Sequence, residues 1–268
     1  MKKLLSTLAV AVTFVNVASA DFARVEMGVG AWMQTPSGKI GYSYTTPPVL
    51  GVSTTTTIDD VSNGNAQTGG YVWALVKHPI PVVPNLRLEY VSAVSEGNYV
   101  GSIKTSAGAS VPATSTSIPT GSSTSTLEMT QIDVIPYYNI LDNTFWVTVD
   151  LGLDVKIIEL NYTSQGVDVI EAVGVDMAGL VLPLGYVRAR VQAPMMNFGF
   201  EADVKYISYD GNTISDVRAK VDYTFDFIPV IQPAIEVGYR IQSFDVSDSG
   251  FSIKNDYAGV YAGMMLRF

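Results

Sequence analysis

The stretch Phe145-Trp146-Val147-Thr148-Val149-Asp150-Leu151-Gly152-Leu153-Asp154-Val155-Lys156-Ile157 alternates without a break. Its odd-numbered residues are all apolar, and its even-numbered residues include two aspartates and a lysine. A β-strand sends successive side chains to opposite faces, so this strand has one wholly apolar face and one that carries charge. It is also longer than the about 9–11 residues that a membrane-crossing strand needs.

The pattern recurs along the chain. Phe198, Phe200, Ala202, Val204 and Tyr206 alternate with Gly199, Glu201, Asp203 and Lys205. Val217, Ala219, Val221, Tyr223 and Phe225 alternate with Asp216, Arg218, Lys220, Asp222 and Thr224. Ile235, Val237, Tyr239 and Ile241 alternate with Glu236, Gly238, Arg240 and Gln242. Segments of this kind fall near 22–34, 70–78, 86–95, 127–138, 144–158, 180–193, 198–209, 213–225, 231–244 and 254–268. In the second, Tyr71, Trp73 and Leu75 compete with Val72, Ala74 and Val76 for the apolar face.

Composition points the same way. Charged residues make up 15% of the 268 residues, against about 25% in a soluble domain, and apolar residues make up 47%. No later segment is long and apolar enough for a membrane helix, so a closed β-barrel is the arrangement that satisfies the backbone in lipid. There is no cysteine, which excludes disulfide scaffolds and thiolate chemistry. The formal net charge of −9 offers nucleic acid no basic surface.

Residues 1–20 read as a signal peptide: Lys2 and Lys3, an apolar run, then Ala18-Ser19-Ala20 as a small-x-small cleavage site. Residues 21–268 are then expected to form an all-β, ten-stranded, antiparallel up-and-down transmembrane β-barrel, with eight or twelve strands as the alternatives. Long external loops are expected near 35–69 and 96–126, and short turns at the other end. Both loops are rich in Ser and Thr and read as solvated surface.

The segment Tyr257-Ala258-Gly259-Val260-Tyr261-Ala262-Gly263-Met264-Met265-Leu266-Arg267-Phe268 resembles the terminal strand of bacterial outer-membrane proteins, with alternate apolar residues leading to Phe. The resemblance implies the cell outer membrane as location and Phe268 as part of the signal read by the barrel-assembly machinery. More broadly, residues 25–32, 78–85 and 137–143 make the chain similar to a family of small single-domain bacterial outer-membrane β-barrel proteins. That family implies no particular reaction. It does imply the lipid bilayer and lipopolysaccharide as partners.

Enzymatic barrels need a histidine at the reactive site, because imidazole exchanges protons near neutral pH. The omptin proteases use Asp pairs and an Asp-His pair at the outer rim. This chain has one histidine, His78, next to Pro79 at an expected turn on the opposite side. Asp59-Asp60 forms a carboxylate pair with no basic neighbour in sequence and reads as solvated loop. Catalytic residues, cofactors and metals are therefore not expected.

Hairpin arithmetic does place charges. If Asp210-Gly211 is a two-residue turn, Lys205 stands opposite Asp216, Asp203 opposite Arg218, and Glu201 opposite Lys220. A turn at 194–197 adds Arg190 with Glu201 and Arg188 with Asp203. A five-residue turn at 226–230 would set Lys220 beside Glu236 and Asp216 beside Arg240. These ten residues form an expected ladder of charge inside a narrow or occluded barrel. The expected function is a structural barrel or a narrow small-solute channel. An adhesin or ligand-binding barrel acting through the Ser/Thr-rich loops is the alternative.

Overall fold

The computed structural model describes residues 23–45, 53–80, 82–105, 120–144, 146–170, 180–192, 196–227, 231–248 and 250–268. The expected signal peptide, Phe145 and the 106–119 part of the second Ser/Thr-rich stretch lie outside them. Alternation produces strands over nearly all the rest. They are β1 (Arg24–Thr45), β2 (Thr54–Ser62), β3 (Gln67–Lys77), β4 (Asn85–Thr105), β5 (Gly121–Thr144) and β6 (Val147–Ser164). There follow β7 (Val167–Asp168), β8 (Leu180–Val191), β9 (Phe198–Tyr209), β10 (Asn212–Thr224), β11 (Gln232–Asp248) and β12 (Phe251–Arg267).

These twelve strands make one antiparallel sheet that closes on itself. β12 pairs with β1 from Glu26↔Arg267 to Tyr42↔Phe251. The Phe268 amide extends the seam by donating to the Val25 carbonyl at 2.9 Å. β2 and β3 lie end to end between β1 and β4. β1 gives Lys39–Thr45 to β2 and Arg24–Gln34 to β3, and β4 divides itself the same way. They thus share one position in the ring, and β7 pairs with β6.

The competition in β3 is settled by packing. Tyr71, Trp73 and Leu75 point inward and are buried, while Val72 and Val76 face out. Glycines make room for the two rings. A Cβ at Gly28 would lie 2.4 Å from Trp73 Nε1, and one at Gly263 would lie 2.3 Å from the Tyr71 hydroxyl.

The ring has two storeys of opposite polarity. Toward the turn end, apolar side chains face out and charged ones face in: Leu151, Leu153 and Val155 are exposed while Asp150, Asp154 and Lys156 are buried. Toward the loop end the parity reverses. On β6 the outward row continues as Glu159, Asn161 and Thr163, and the inward row as Ile158, Leu160 and Tyr162. β1 changes in the same way, from Val29 and Met33 outside to Ile40 and Tyr42 inside. β12 has Ser252, Lys254 and Asp256 outside at its loop end and Phe251, Ile253 and Tyr257 within.

This reversal corrects the loops expected at 35–69 and 96–126. Residues 35–45 belong to β1, 54–62 to β2, and 67–69 to β3; β4 continues to Thr105 and β5 begins at Gly121. Their inward apolar residues build a core where solvated loop was expected. Ser and Thr there pair across strands, as in Thr57–Ser102 at 2.6 Å and Ser123–Ser164 at 2.7 Å.

Candidate functional site

The functional question is what fills the lower interior. The β9–β10 turn has the left-handed conformation at both positions, with φ 51° at Asp210 and 78° at Gly211, as a two-residue hairpin requires. Lys205 accordingly stands opposite Asp216, Asp203 opposite Arg218, and Glu201 opposite Lys220. On β8, Arg190 stands opposite Glu201 and Arg188 opposite Asp203. The β10–β11 register differs by two residues from the expected one. Lys220 faces Gly238, Asp222 faces Glu236, Arg218 faces Arg240, and Asp216 faces Gln242. The turn is longer than five residues because the Phe225 amide still bonds the Pro233 carbonyl at 2.8 Å.

Opposing like charges are relieved along diagonals. Lys220 Nζ reaches Glu236 Oε2 at 2.8 Å past the bare Gly238, and Arg240 clamps Asp216 at 2.9 and 2.5 Å. Arg218 turns the other way, donating to Asp203 at 2.9 and 2.8 Å and to Glu89 at 3.0 Å. Asp222 is held by Arg190 at 2.6 and 3.0 Å and by Arg267 at 2.8 Å. All ten residues of the expected ladder are buried inside the ring.

Sequence reasoning missed the partners from the far wall. Arg87 and Glu89 of β4 bond each other at 2.6 Å; Arg87 reaches Glu201 of β9 at 3.4 Å, and Glu89 accepts from Lys205 at 2.6 Å. Lys205 also bonds Asp133 of β5, which Lys156 of β6 holds at 2.6 Å. Gln131 of β5 meets Gln242 of β11 at 2.9 Å. Tyr71 and Trp73 of β3 donate to Glu236 of β11 at 2.8 and 3.1 Å. The Trp73 ring also carries Lys220 at 4.6 Å and Arg87 at 4.9 Å from its centroid. Asp154 is the exception: both its carboxylate oxygens lack a hydrogen-bond partner, with Lys156 Nζ 4.0 Å away.

The alternation of Arg87 and Glu89 with Leu86, Leu88 and Tyr90 identifies them as inward residues. Nothing local identifies whom they touch, because β4 and β9 share no backbone pairing.

His78 is engaged at the turn end. Its Nε2 donates to the Pro84 carbonyl at 3.0 Å and its Nδ1 accepts from the Ile80 amide at 3.2 Å. Asp59 and Asp60 are not a pair, since Asp59 faces out and Asp60 is buried, which corrects the solvated-loop reading of Asp60. Among the described residues, no three His, Cys, Asp or Glu side chains are grouped to hold a metal ion.

No family model matches the chain, and no curated protein matches it. Solved structures are similar in outline. The outer-membrane protease OmpT from Escherichia coli has a TM-score of 0.45 and 14% identity, over 96% of this chain and 100% of that one. The translocator domain of the autotransporter NalP from Neisseria meningitidis has 0.33 and 13%, over 100% and 95%. A Pseudomonas aeruginosa FadL homologue has 0.30 and 10%, over 92% and 90%. Likeness this slight carries no functional argument, and the chemistry of the interior decides the reading.

Proposed function

We propose that the chain is an outer-membrane β-barrel of ten staves whose interior is sealed by ion pairs, and that it is structural and non-enzymatic. The inside-out polarity of the lower storey supports the membrane. A soluble monomer leaves no contiguous apolar wall of this kind exposed, and lipid is the solvent in which such a wall is stable. β2 and β3 together form one stave, which with β1, β4, β5, β6 and β8–β12 makes ten. The storey boundary marks where the wall leaves the hydrocarbon, with lipopolysaccharide facing the upper storey.

The observation that carries the sealed reading is contact across the interior. Arg87–Glu201, Lys205–Glu89 and Gln131–Gln242 join walls that share no backbone pairing. An eight-stranded barrel is just filled by side chains, and sixteen strands leave an aqueous channel. Ten strands filled by Arg, Lys and Glu fall on the closed side of that range. The absence of a free imidazole at the loop end supports the non-enzymatic reading.

Reconstitution into planar bilayers tests the proposal. The expected result is no steady ohmic conductance above the bare membrane. A stable open state in the unmodified barrel would overturn it.

A further inference from the structure

Above the ion-pair network, in the upper storey, a cavity of about 10 Å³ is lined by the polar residues Asp60, Ser62, Ser95, Ser125 and Asn255. That is room for one water-sized occupant. Asp60 Oδ2 accepts from Ser125 Oγ at 2.5 Å and from the Tyr162 hydroxyl at 2.6 Å. Its Oδ1 has no hydrogen-bond partner, and neither has Oδ1 of Asn255. Both residues are almost wholly buried, at 4% and 3% exposure. The carboxylate is seated against the bare Cα of Gly97, where a Cβ would lie 2.1 Å from Oδ1.

Every buried carboxylate of the lower network except Asp154 bonds a cationic side chain; among the described residues Asp60 forms no ion pair. An uncompensated buried charge costs several kcal/mol. A water molecule could donate to both orphan oxygens, but it brings no charge. A cation satisfies both oxygens and the charge together. The polar part of the lining is hard oxygen, from one carboxylate, one amide and three hydroxyls, which suits hard cations, while Ile40, Gly97 and Leu127 complete the wall. One carboxylate balances a single positive charge, whereas a divalent ion would leave an excess, since Asp60 is the one carboxylate on the lining.

We propose that Asp60, Asn255 and the three serine hydroxyls bind one small monovalent cation, sodium. The site draws ligands from β2, β4, β5 and β12, so the ion ties the short upper half of the interrupted stave to three continuous ones. That is its expected role: it fastens β2 at the loop end.

The test is the apparent unfolding temperature of the refolded, detergent-solubilised full chain, in sodium chloride and in choline chloride at equal ionic strength. A saturable rise with sodium is expected, smaller with the larger potassium ion and absent in Asp60→Asn. Equal temperatures in sodium and choline would mean an ordered water only, and would overturn the proposal. A sodium increment that Asp60→Asn retains would overturn it too. Should Asp60→Asn fail to fold, the wild-type protein still decides. Crystals soaked in thallium(I) should show anomalous density between Asp60 and Asn255, and density absent there would overturn the site.

Discussion

Glu89 on β4 and Lys205 on β9 meet at 2.6 Å across the interior, although their strands have no hydrogen bond in common. Glu89 also receives Arg87 at 2.6 Å and Arg218 at 3.0 Å, so one carboxylate answers three cations from three strands. Removing one partner of a buried pair costs about 3–5 kcal/mol, because the abandoned charge stays buried. Glu89→Gln keeps the shape and should markedly lower the apparent unfolding temperature in detergent. Glu201→Lys should be worse, since Glu201 lies within 3.4 Å of Arg87, Arg188, Arg190 and Lys220. Thermal gel-shift or circular dichroism melts check both, and a Glu89→Gln protein as stable as wild type would show that the network adds no stability.

Asp154 gives the opposite expectation. It is fully buried, and neither of its oxygens has a donor. Lys156 is satisfied elsewhere, by Asp133 at 2.6 Å and Gln131 at 3.2 Å. An unmet buried charge costs more than its removal, so Asp154→Asn should hold or raise the unfolding temperature. A fall as large as that of Glu89→Gln would mean that Asp154 has a partner in solution.

Packing around Trp73 predicts a steric effect. Gly28→Ala would put a methyl group 2.4 Å from Trp73 Nε1 and push the ring from Glu236, which it now bonds at 3.1 Å. Overpacking of this kind costs about 1–3 kcal/mol. Gly70→Ala is the control, because nothing lies within 4 Å of a Cβ there. The expected readout is a lower melt and altered tryptophan emission for Gly28→Ala alone.

What the sequence discloses follows from how local the determinant is. The β9–β10 register is readable because Asp210-Gly211 leaves the chain one way to turn. The β10–β11 register is not, since Phe225, the last alternating residue, bonds Pro233 where a five-residue turn would set it opposite Ile231, and nothing local marks that longer turn. The upper storey escapes for a different reason. On β1 the apolar set passes from odd positions, Val29 and Met33, to even ones, Ile40 and Tyr42, while the strand itself runs on. Tracking one apolar parity therefore ends the strand near residue 34, at the change of solvent. Likewise the inward direction of Glu89 is written in β4, whereas its meeting with Lys205 depends on ring closure. Asp60 is hidden twice over, by the Thr-rich stretch before it and by Asp59 beside it.

The upper storey also predicts an alkaline limit to stability. Burial, and then the neighbouring Asp60 carboxylate, push the Tyr99 phenol up to about 12. Burial and the hydrogen bond to Asp60 likewise raise Tyr162, and burial raises Tyr42. An ordinary tyrosine ionises near 10. Below pH ~10 the phenols are protonated in both folded and unfolded chains, so they add no slope. Between ~10 and ~12 the unfolded chain has lost protons that the folded one keeps, and stability must fall as pH rises. The apparent unfolding temperature should therefore stay level with respect to these groups up to about pH 10 and decline above it. Tyr99→Phe should shallow that decline without moving its onset, because Tyr42 and Tyr162 still titrate. The check is a tyrosinate absorbance titration beside the melts: in the folded barrel these phenols should ionise above the ordinary tyrosine range. Their ionisation near pH ~10 in the intact barrel would show that water reaches the upper core.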